Sequence, residues 1–162
     1  SFTRTPVYVK GLGLSVQSAE IHNKPGYDYL SFPATVKASR QAYEQAGVTA
    51  ADIDFAEVHD CFSITEILNY EDLGFARRGE GFRDLKDGKF ALEGAKPVNP
   101  SGGLKSYGHP VGATGVRMIY ELATQLRGRA GTRQVKDARI GLAHNLGGPG
   151  AVSCVSILTN QA

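Results

Sequence analysis

One stretch of this chain, residues 101–115, contains the residue types needed for proton transfer. It reads Ser-Gly-Gly-Leu-Lys-Ser-Tyr-Gly-His-Pro-Val-Gly-Ala-Thr-Gly, and its five glycines predict a loop. Apolar residues at helical spacing then predict a helix over residues 116–127, so that His109 lies close to a helix start, where backbone N–H groups are unpaired. A histidine in that position can exchange a proton with a substrate or a partner thiol. The alternative is a structural glycine-rich turn in which His109 does no chemistry.

A second group with chemical potential is formed by His59, Asp60 and Cys61. Residues 53–59 predict a short strand, although its middle is polar, and residues 64–73 predict a helix. The three residues then lie between the carboxyl end of a strand and a helix start, where ligands bind in open α/β sheets. The field at a helix start favours a reactive thiolate at Cys61. The alternative for this cysteine is a small buried filler.

Local signals define the expected bounds of that helix. Ser63 followed three residues later by Glu66 predicts a capping box, and Phe62 with Ile67 predicts a hydrophobic staple around it. Gly74 predicts the helix end.

A third group lies between two predicted strands at the end of the sequence. Residues 138–144 and 151–158 predict a hairpin joined by the turn Asn-Leu-Gly-Gly-Pro-Gly. The glycines in residues 147–150 allow a backbone to approach a ligand closely, and their N–H groups are suited to a developing oxyanion. Cys154 shares its strand face with Val152 and Ser156, and we interpret it as a packing residue.

The remaining segments predict a scaffold. Residues 7–16 predict a strand and residues 33–46 a helix ended by Gly47, with a loop between them in which His22 is expected to be solvated. Residues 75–96 mix charges and glycines and predict a surface excursion with little regular structure.

This alternation of strands and helices predicts an α/β layered domain with a mixed sheet. The loops over residues 59–61, 99–112 and 144–150 each lie where a strand or its connection ends, so we expect them to converge at one edge.

Length and composition limit the function classes. The 162 residues indicate one domain, and a net charge of +2 is too small to indicate nucleic acid or a membrane surface as partner. The two cysteines form no disulfide framework and have no metal-site spacing, which is typical of a reducing compartment. There is no apolar run long enough to cross a bilayer.

The start of the sequence indicates a fragment of a longer protein. It begins at Ser1, and residues 1–6 are typical of a linker end.

Four motifs follow one another in the chain: His59-Asp60-Cys61-Phe62, Asn99-Pro100-Ser101-Gly102-Gly103, Gly108-His109-Pro110-Val111-Gly112-Ala113-Thr114-Gly115 and His144-Asn145-Leu146-Gly147-Gly148. In this order they resemble the C-terminal half of a thiolase, and more narrowly the sterol-carrier-protein-x type and its bacterial relatives. The resemblance covers nearly the whole chain. It implies a layered βαβαβαββ half with a five-stranded mixed sheet, spanning residues 1–162 as one thiolase C-terminal domain.

The resemblance also implies roles. His109 matches the histidine that activates a nucleophilic cysteine and helps bind the thioester oxygen, and that cysteine belongs to the first half, because neither Cys61 nor Cys154 matches its motif. His59 replaces the asparagine of ordinary thiolases, and Cys61 takes the acid/base role. His144 stands where ordinary thiolases carry their acid/base cysteine.

The remaining residues of the implied site lie in two loops. Leu146, Gly147 and Gly148 would line the site with a backbone N–H as oxyanion donor, and Asn99, Ser101 and Gly102 would belong to the substrate loop.

The implied activity is CoA-dependent cleavage or Claisen condensation of 3-oxoacyl-CoA, with coenzyme A as co-substrate, no permanently bound cofactor and no metal. The expected partners are an acyl-CoA, an N-terminal thiolase half and further copies in a homodimer or homotetramer, and the expected compartment is the cytoplasm. The isolated chain is expected to be inactive. The alternatives are a thiolase-like aldolase, in which a tyrosine such as Tyr107 does proton work, and a non-catalytic acyl-CoA-binding subunit of a lipid- or steroid-degrading complex.

Overall fold

The computed structural model describes residues 3–18, 20 and 23–161, so the prediction for His22 lies outside the described residues. The strands are β1 (Tyr8–Val16), β2 (Phe55–Val58), β3 (Ile140–Gly147) and β4 (Val152–Thr159). The helices are α1 (Pro33–Ala46), α2 (Ser63–Asp72), α3 (Gly81–Lys86), α4 (Gly103–Tyr107) and α5 (Thr114–Leu126), and short 3-10 turns lie at Ala50–Asp52 and Gly131–Arg133. Within the described ranges, no helix combines the length and the apolar character needed to cross a membrane.

The strands form one mixed sheet in the order β1-β4-β3-β2. β2 and β3 are parallel, while β4 is antiparallel to both of its neighbours, which confirms the predicted α/β class and the terminal hairpin. The predicted fifth strand is absent from the described sheet, because Val98 makes only a single parallel bridge to Ala56. Pro97 and Pro100 lack the N–H group that a ladder needs, and Asn99 has a φ of 52°, so pairing cannot continue.

Helix α1 packs against β1 and β4 on one face of the sheet. Its Ala38 and Ala42 are fully buried, and the strand opposite them carries Gly11 and Gly13. A Cβ atom built at Gly13 would lie 1.9 Å from the carbonyl oxygen of Ala38, so the helix and the strand approach as closely as backbones can. The predicted bounds of this helix, with Gly47 as its left-handed end, are confirmed.

Helix α5 packs mainly against β3 and β2 on the opposite face, where Met118 and Leu122 join Phe55 and Ala143 in a second core cluster. The rest of that face, over β1 and the part of β4 that α5 does not reach, has no covering element among the described residues. We call it the open face; the side chains on it and on the adjoining side of α5 are exposed and apolar, namely Leu12, Leu14, Val16, Val116, Tyr120 and Val152.

Two segments predicted to be irregular contain helices. The single turn α4 lies inside the glycine-rich stretch, between Gly102 and Gly108, which both have positive φ. The segment over residues 75–96 contains α3 and supplies buried Phe75 and Phe90 to the core, with Phe90 stacked on Tyr70 at 3.9 Å between ring centroids. The expectation of little regular structure in both segments is therefore wrong.

The start of α2 also differs from the prediction. Phe62 is the N-cap residue, Ser63 is the first helical residue, and no side-chain cap is formed. The Glu66 carboxylate accepts a hydrogen bond from Asn99 instead of capping the helix, and Phe62 is 69% exposed rather than stapled. The predicted capping box and staple are wrong, because a distant loop takes up the carboxylate.

Candidate active site

The carboxyl ends of the parallel strands β2 and β3 meet at one edge of the sheet, where the candidate site lies. His59 follows β2 directly, Asn145 lies near the end of β3, and His109 reaches the same edge from the turn between α4 and α5. The predicted convergence of the three segments is therefore confirmed.

His59 is held by its ring and by its backbone. Its Nδ1 lies 3.0 Å from Oδ1 of Asn145, and its carbonyl oxygen accepts a 2.8 Å hydrogen bond from Nδ2 of Asn69 in α2. Because an amide oxygen only accepts, Nδ1 carries the proton and Nε2 is the open nitrogen. Burial lowers the pKa of His59 against the opposing effect of the Asn145 hydrogen bond, so the neutral ring is favoured.

His109 is exposed and, like His59, is anchored through its Nδ1. Its Nδ1 lies 2.7 Å from Oγ1 of Thr114, the fully buried first residue of α5. The Thr114 hydroxyl donates to the carbonyl oxygen of Pro110 at 3.1 Å, so its oxygen accepts from the His109 ring and leaves Nε2 open. The prediction that His109 lies close to a helix start is confirmed.

The two imidazoles meet edge to face, with ring centroids 4.9 Å apart and planes at 77°. With both Nδ1 atoms engaged, the Nε2 atoms can accept a proton and, once protonated, donate to a developing negative charge. Among the described residues, no three or more His, Cys, Asp or Glu side chains are grouped to hold a metal ion.

Both cysteines are free and exposed. Cys61 lies between His59 and the start of α2, as predicted, and it is not a buried filler. The packing interpretation of Cys154 is wrong, because its side chain faces the open face instead of the core beneath α1. It borders a cleft of about 230 Å³ that is also lined by Asn145 and Gly115.

His144 does not face the site. Neighbouring residues in a strand point to opposite faces, so His144 points under α1 while Asn145 points towards His59. Nε2 of His144 lies 3.0 Å from Oγ1 of Thr35, and complete burial lowers the pKa of His144 to about 3. Of these two neighbours, Asn145 is therefore the one that reaches the site, and His144 is not.

The glycine loop begins later than predicted. Leu146 and Gly147 are the last residues of β3, paired with Ser153 and Val152, and the turn starts at Gly148. The strand is longer than the predicted 138–144 because pairing with β4 continues through these residues. Leu146 is buried, whereas Gly148 is exposed at the edge.

Three carboxylates from the β2–α2 segment hold the loop that precedes His109; we call Glu57, Asp60 and Glu66 the acid clamp. Glu66 accepts a 2.8 Å hydrogen bond from Nδ2 of Asn99. Glu57 accepts from the backbone N–H of Ser101 at 3.1 Å and from its hydroxyl at 2.6 Å. Asp60 accepts from the backbone N–H of Leu104 at 2.9 Å. The β2–α2 segment is thus tied to residues 99–104 by three carboxylates.

A glycine makes the Asp60 contact possible. Gly103 has a φ of 64°, and a Cβ atom built there would lie 2.2 Å from the Asp60 carboxylate. The predicted loop residues Asn99 and Ser101 are held by this clamp, and Gly102 lies between them and α4. Their described contacts are to the acid clamp, to β2 and within the loop.

Sequence reasoning missed five residues of this site: Glu57, Asp60 (in its clamping role), Glu66, Thr114 and Asn145. The available signal in the sequence was Glu57 in the middle of a short predicted strand. In the structure all four residues of this strand are buried. A buried carboxyl must find donors, and the loop rich in Ser and Gly is the segment that supplies them.

Comparison with known proteins identifies the family. Residues 13–160 match the family described as Thiolase C-terminal domain-like, and the chain belongs to it. The thiolase resemblance is thereby confirmed.

Acetyl-CoA acetyltransferase of Methanothermobacter thermautotrophicus is 49% identical over 158 residues, which are 98% of this chain and 41% of that protein. Human sterol carrier protein 2 is 49% identical over 123 residues, 76% of this chain and 22% of that protein. A solved structure described as an Ltp2-ChsH2(DUF35) aldolase matches 97% of this chain and 40% of its own with a TM-score of 0.82 at 25% identity. The chain spans about two fifths or less of the length of each of these proteins.

Proposed function

We propose that this chain is the C-terminal half of a thiolase-type acyltransferase that cleaves or forms 3-oxoacyl-CoA, with coenzyme A as co-substrate. The observation that carries the proposal is the His59–His109 pair, anchored through both Nδ1 atoms and open at both Nε2 atoms. The 49% identity to an acetyl-CoA acetyltransferase over nearly the whole chain supports it.

His109 is the proton acceptor for a nucleophilic cysteine that the rest of the polypeptide supplies. Its open Nε2 takes the thiol proton as the cysteine sulfur bonds to the thioester carbonyl carbon. The resulting imidazolium donates a hydrogen bond to the oxyanion, and it gives its proton to the departing coenzyme A thiolate as the old C–S bond breaks. The Thr114 contact fixes which nitrogen does this. The anchored ring therefore serves first as base and then as oxyanion donor.

Cys61 is the acid/base group for the second substrate. Its side chain is free and exposed, and once deprotonated its sulfur takes a proton from the α-carbon in condensation or from the coenzyme A thiol in cleavage. His59 completes the donor set for the enolate oxygen. Burial lowers the pKa of His59, and a negative charge that develops beside Nε2 opposes this effect, because an opposite charge favours the protonated ring.

The N-terminal half of the full protein covers the open face and brings the nucleophile to His109. The six exposed apolar side chains on that face and on the adjoining side of α5 support this, because apolar side chains grouped at a surface are typical of an interaction site. The full protein is expected to form a homodimer or homotetramer, and the isolated chain to be inactive.

The second candidate is a thiolase-like aldolase, favoured by the TM-score of 0.82 to a chain described as an aldolase complex. The surroundings of Tyr107 do not favour a role as acid or base. Burial raises the pKa of Tyr107 to about 12, its hydroxyl points to Glu57 at 3.4 Å, and its ring lies 3.7 Å from the Arg117 guanidinium. The acyltransferase is therefore the better-supported function.

The test is the substitution Cys61→Ala in the full-length protein, with Cys154→Ala as the matched exposed cysteine. We expect Cys61→Ala to lower the rate of acetoacetyl-CoA thiolysis by at least about 10²-fold, as for the loss of a general base, and Cys154→Ala to retain activity. Thiolysis undiminished in Cys61→Ala would reject the acid/base role.

A further inference from the structure

Glu57 is the most deeply buried member of the acid clamp, and the chemistry described above makes no use of it. Its side chain is completely buried in β2. Burial raises its pKa to about 7, although the two Ser101 hydrogen bonds oppose this, and the like charges of Glu121 and Asp60 add to the rise. A carboxyl in such a place costs stability unless it is fully hydrogen-bonded, so its partners indicate its purpose.

Those partners all lie in the segment that carries His109. Both carboxylate oxygens bind Ser101, and Oε2 lies 3.4 Å from the hydroxyl of Tyr107. Ser101 precedes α4 and Tyr107 is its last residue, so one carboxylate contacts both ends of this helical turn. Only Gly108 separates Tyr107 from His109.

Glu57 also lies two residues before His59, on the same side of the extended chain. It is therefore connected to one imidazole through the backbone of β2 and to the other through Tyr107. Arg117 of α5 packs on the Tyr107 ring and holds the tyrosine from its other side.

We propose that Glu57 is a positioning residue which, through Ser101 and Tyr107, holds residues 101–109 so that the imidazole of His109 meets that of His59. It touches no reacting atom. This proposal deepens the proposed function and rests on it only where thiolysis is measured, because hydrogen exchange and ring-current shifts are measured without substrate.

The experiment compares Glu57→Ala with Glu121→Gln in the full-length protein. Glu121 is the control, since it is also almost completely buried but is bonded to Gln125 and Arg133 and not to the loop; it acts on Glu57 only through its charge. Hydrogen exchange over residues 99–108 reports the hold on the loop. The ring-current shifts of the His59 and His109 imidazole protons, in ¹⁵N-histidine-labelled protein, report the edge-to-face contact.

We expect Glu57→Ala to speed hydrogen exchange over residues 99–108 by at least about tenfold and to remove the ring-current shift. Glu121→Gln should do neither, even if it lowers the thermal unfolding midpoint by a similar amount. The kcat for thiolysis should fall by about 10²-fold with KM changed less than about threefold, because a misplaced group loses rate more than binding. Glu57→Gln, which keeps an acceptor for the Ser101 N–H, should restore most of the exchange protection.

Glu57→Ala that behaves like Glu121→Gln in exchange and ring-current shift overturns the proposal. If Glu57→Ala does not fold, Ser101→Ala removes the 2.6 Å contact without altering the buried strand, and it should loosen the same loop; unchanged exchange in that variant also overturns the proposal. A loosened loop and separated rings with unchanged thiolysis would support the positioning role and contradict the catalytic role proposed for His109.

Discussion

The two faces of the sheet differ in how far this chain completes them. Under α1, glycines on β1 meet alanines on the helix at backbone contact, and the buried polar His144 has a hydroxyl partner in Thr35. On the opposite face, α5 covers β2 and β3 but leaves the open face with exposed leucine, valine and tyrosine side chains.

The candidate site lies on the incomplete side. Asn145 points there while its neighbour His144 points under α1, and the cleft between α5 and β4 runs from Asn145 to Cys154. This chain therefore completes its scaffold on one face and carries the candidate site on the other, beside exposed apolar side chains. Substitutions should therefore act differently on the two faces.

The largest expected effect is on the completed face. Gly13→Ala should lower the free energy of unfolding by about 3 kcal/mol, because its Cβ atom would lie 1.9 Å from the Ala38 carbonyl oxygen and force the helix away. Urea unfolding measures this. The control is Gly112→Ala, where an added Cβ meets nothing within 4 Å, and which should change the stability by less than about 0.5 kcal/mol. Equal losses in the two variants would contradict the close packing of α1 on β1.

A second effect on the same face depends on pH. Because burial lowers the folded-state pKa of His144 from 6.5 to about 3, its neutral ring stabilises the fold above pH 6.5, and this stabilisation is lost as the pH falls towards 3. Between pH 6 and pH 4 the wild type should therefore lose about 1.4 kcal/mol per pH unit relative to His144→Gln. Glu57 contributes a slope of opposite sign in both proteins, since its raised pKa favours the fold at low pH, and it cancels in the comparison. Parallel stability curves would show that His144 is not buried as described.

The smallest effect belongs to the open face. Leu14→Ser in the full-length protein should cost about 1.5 kcal/mol, because the N-terminal half is proposed to bury this side chain. Leu85→Ser on α3 is the control and should cost less, although Leu85 is 39% exposed and Leu14 is 60% exposed in this chain. The reverse order, measured by thermal or urea unfolding, would mean that the open face stays uncovered.

Much of the scaffold follows from local pattern. The bounds of α1, the strand β1, the helix after His109 and the terminal hairpin are predictable, because periodicity and glycine ends are local signals. The convergence of His59 and His109 is predictable too, since parallel strands end at the same edge.

The failures have one physical cause: long-range partners replace local ones. Glu66 has the spacing of a capping residue but binds Asn99, 33 positions away, and Phe75 and Phe90 anchor a segment whose composition is that of a loop. Glu57 binds Ser101 across 44 positions. No local pattern encodes these pairs, and the one-residue offset between His144 and Asn145 is visible only once the strand face is known.

The most direct test of the central claim is covalent acyl transfer by the full-length protein. It would be incubated with acetyl-CoA, and its intact mass taken in mild acid, followed by peptide mapping and by addition of free coenzyme A. The account predicts an acetyl group on a cysteine outside this chain, discharged by coenzyme A and lost in His109→Ala. A folded protein that binds coenzyme A but remains unmodified, or that carries the acetyl group on Cys61, would contradict it.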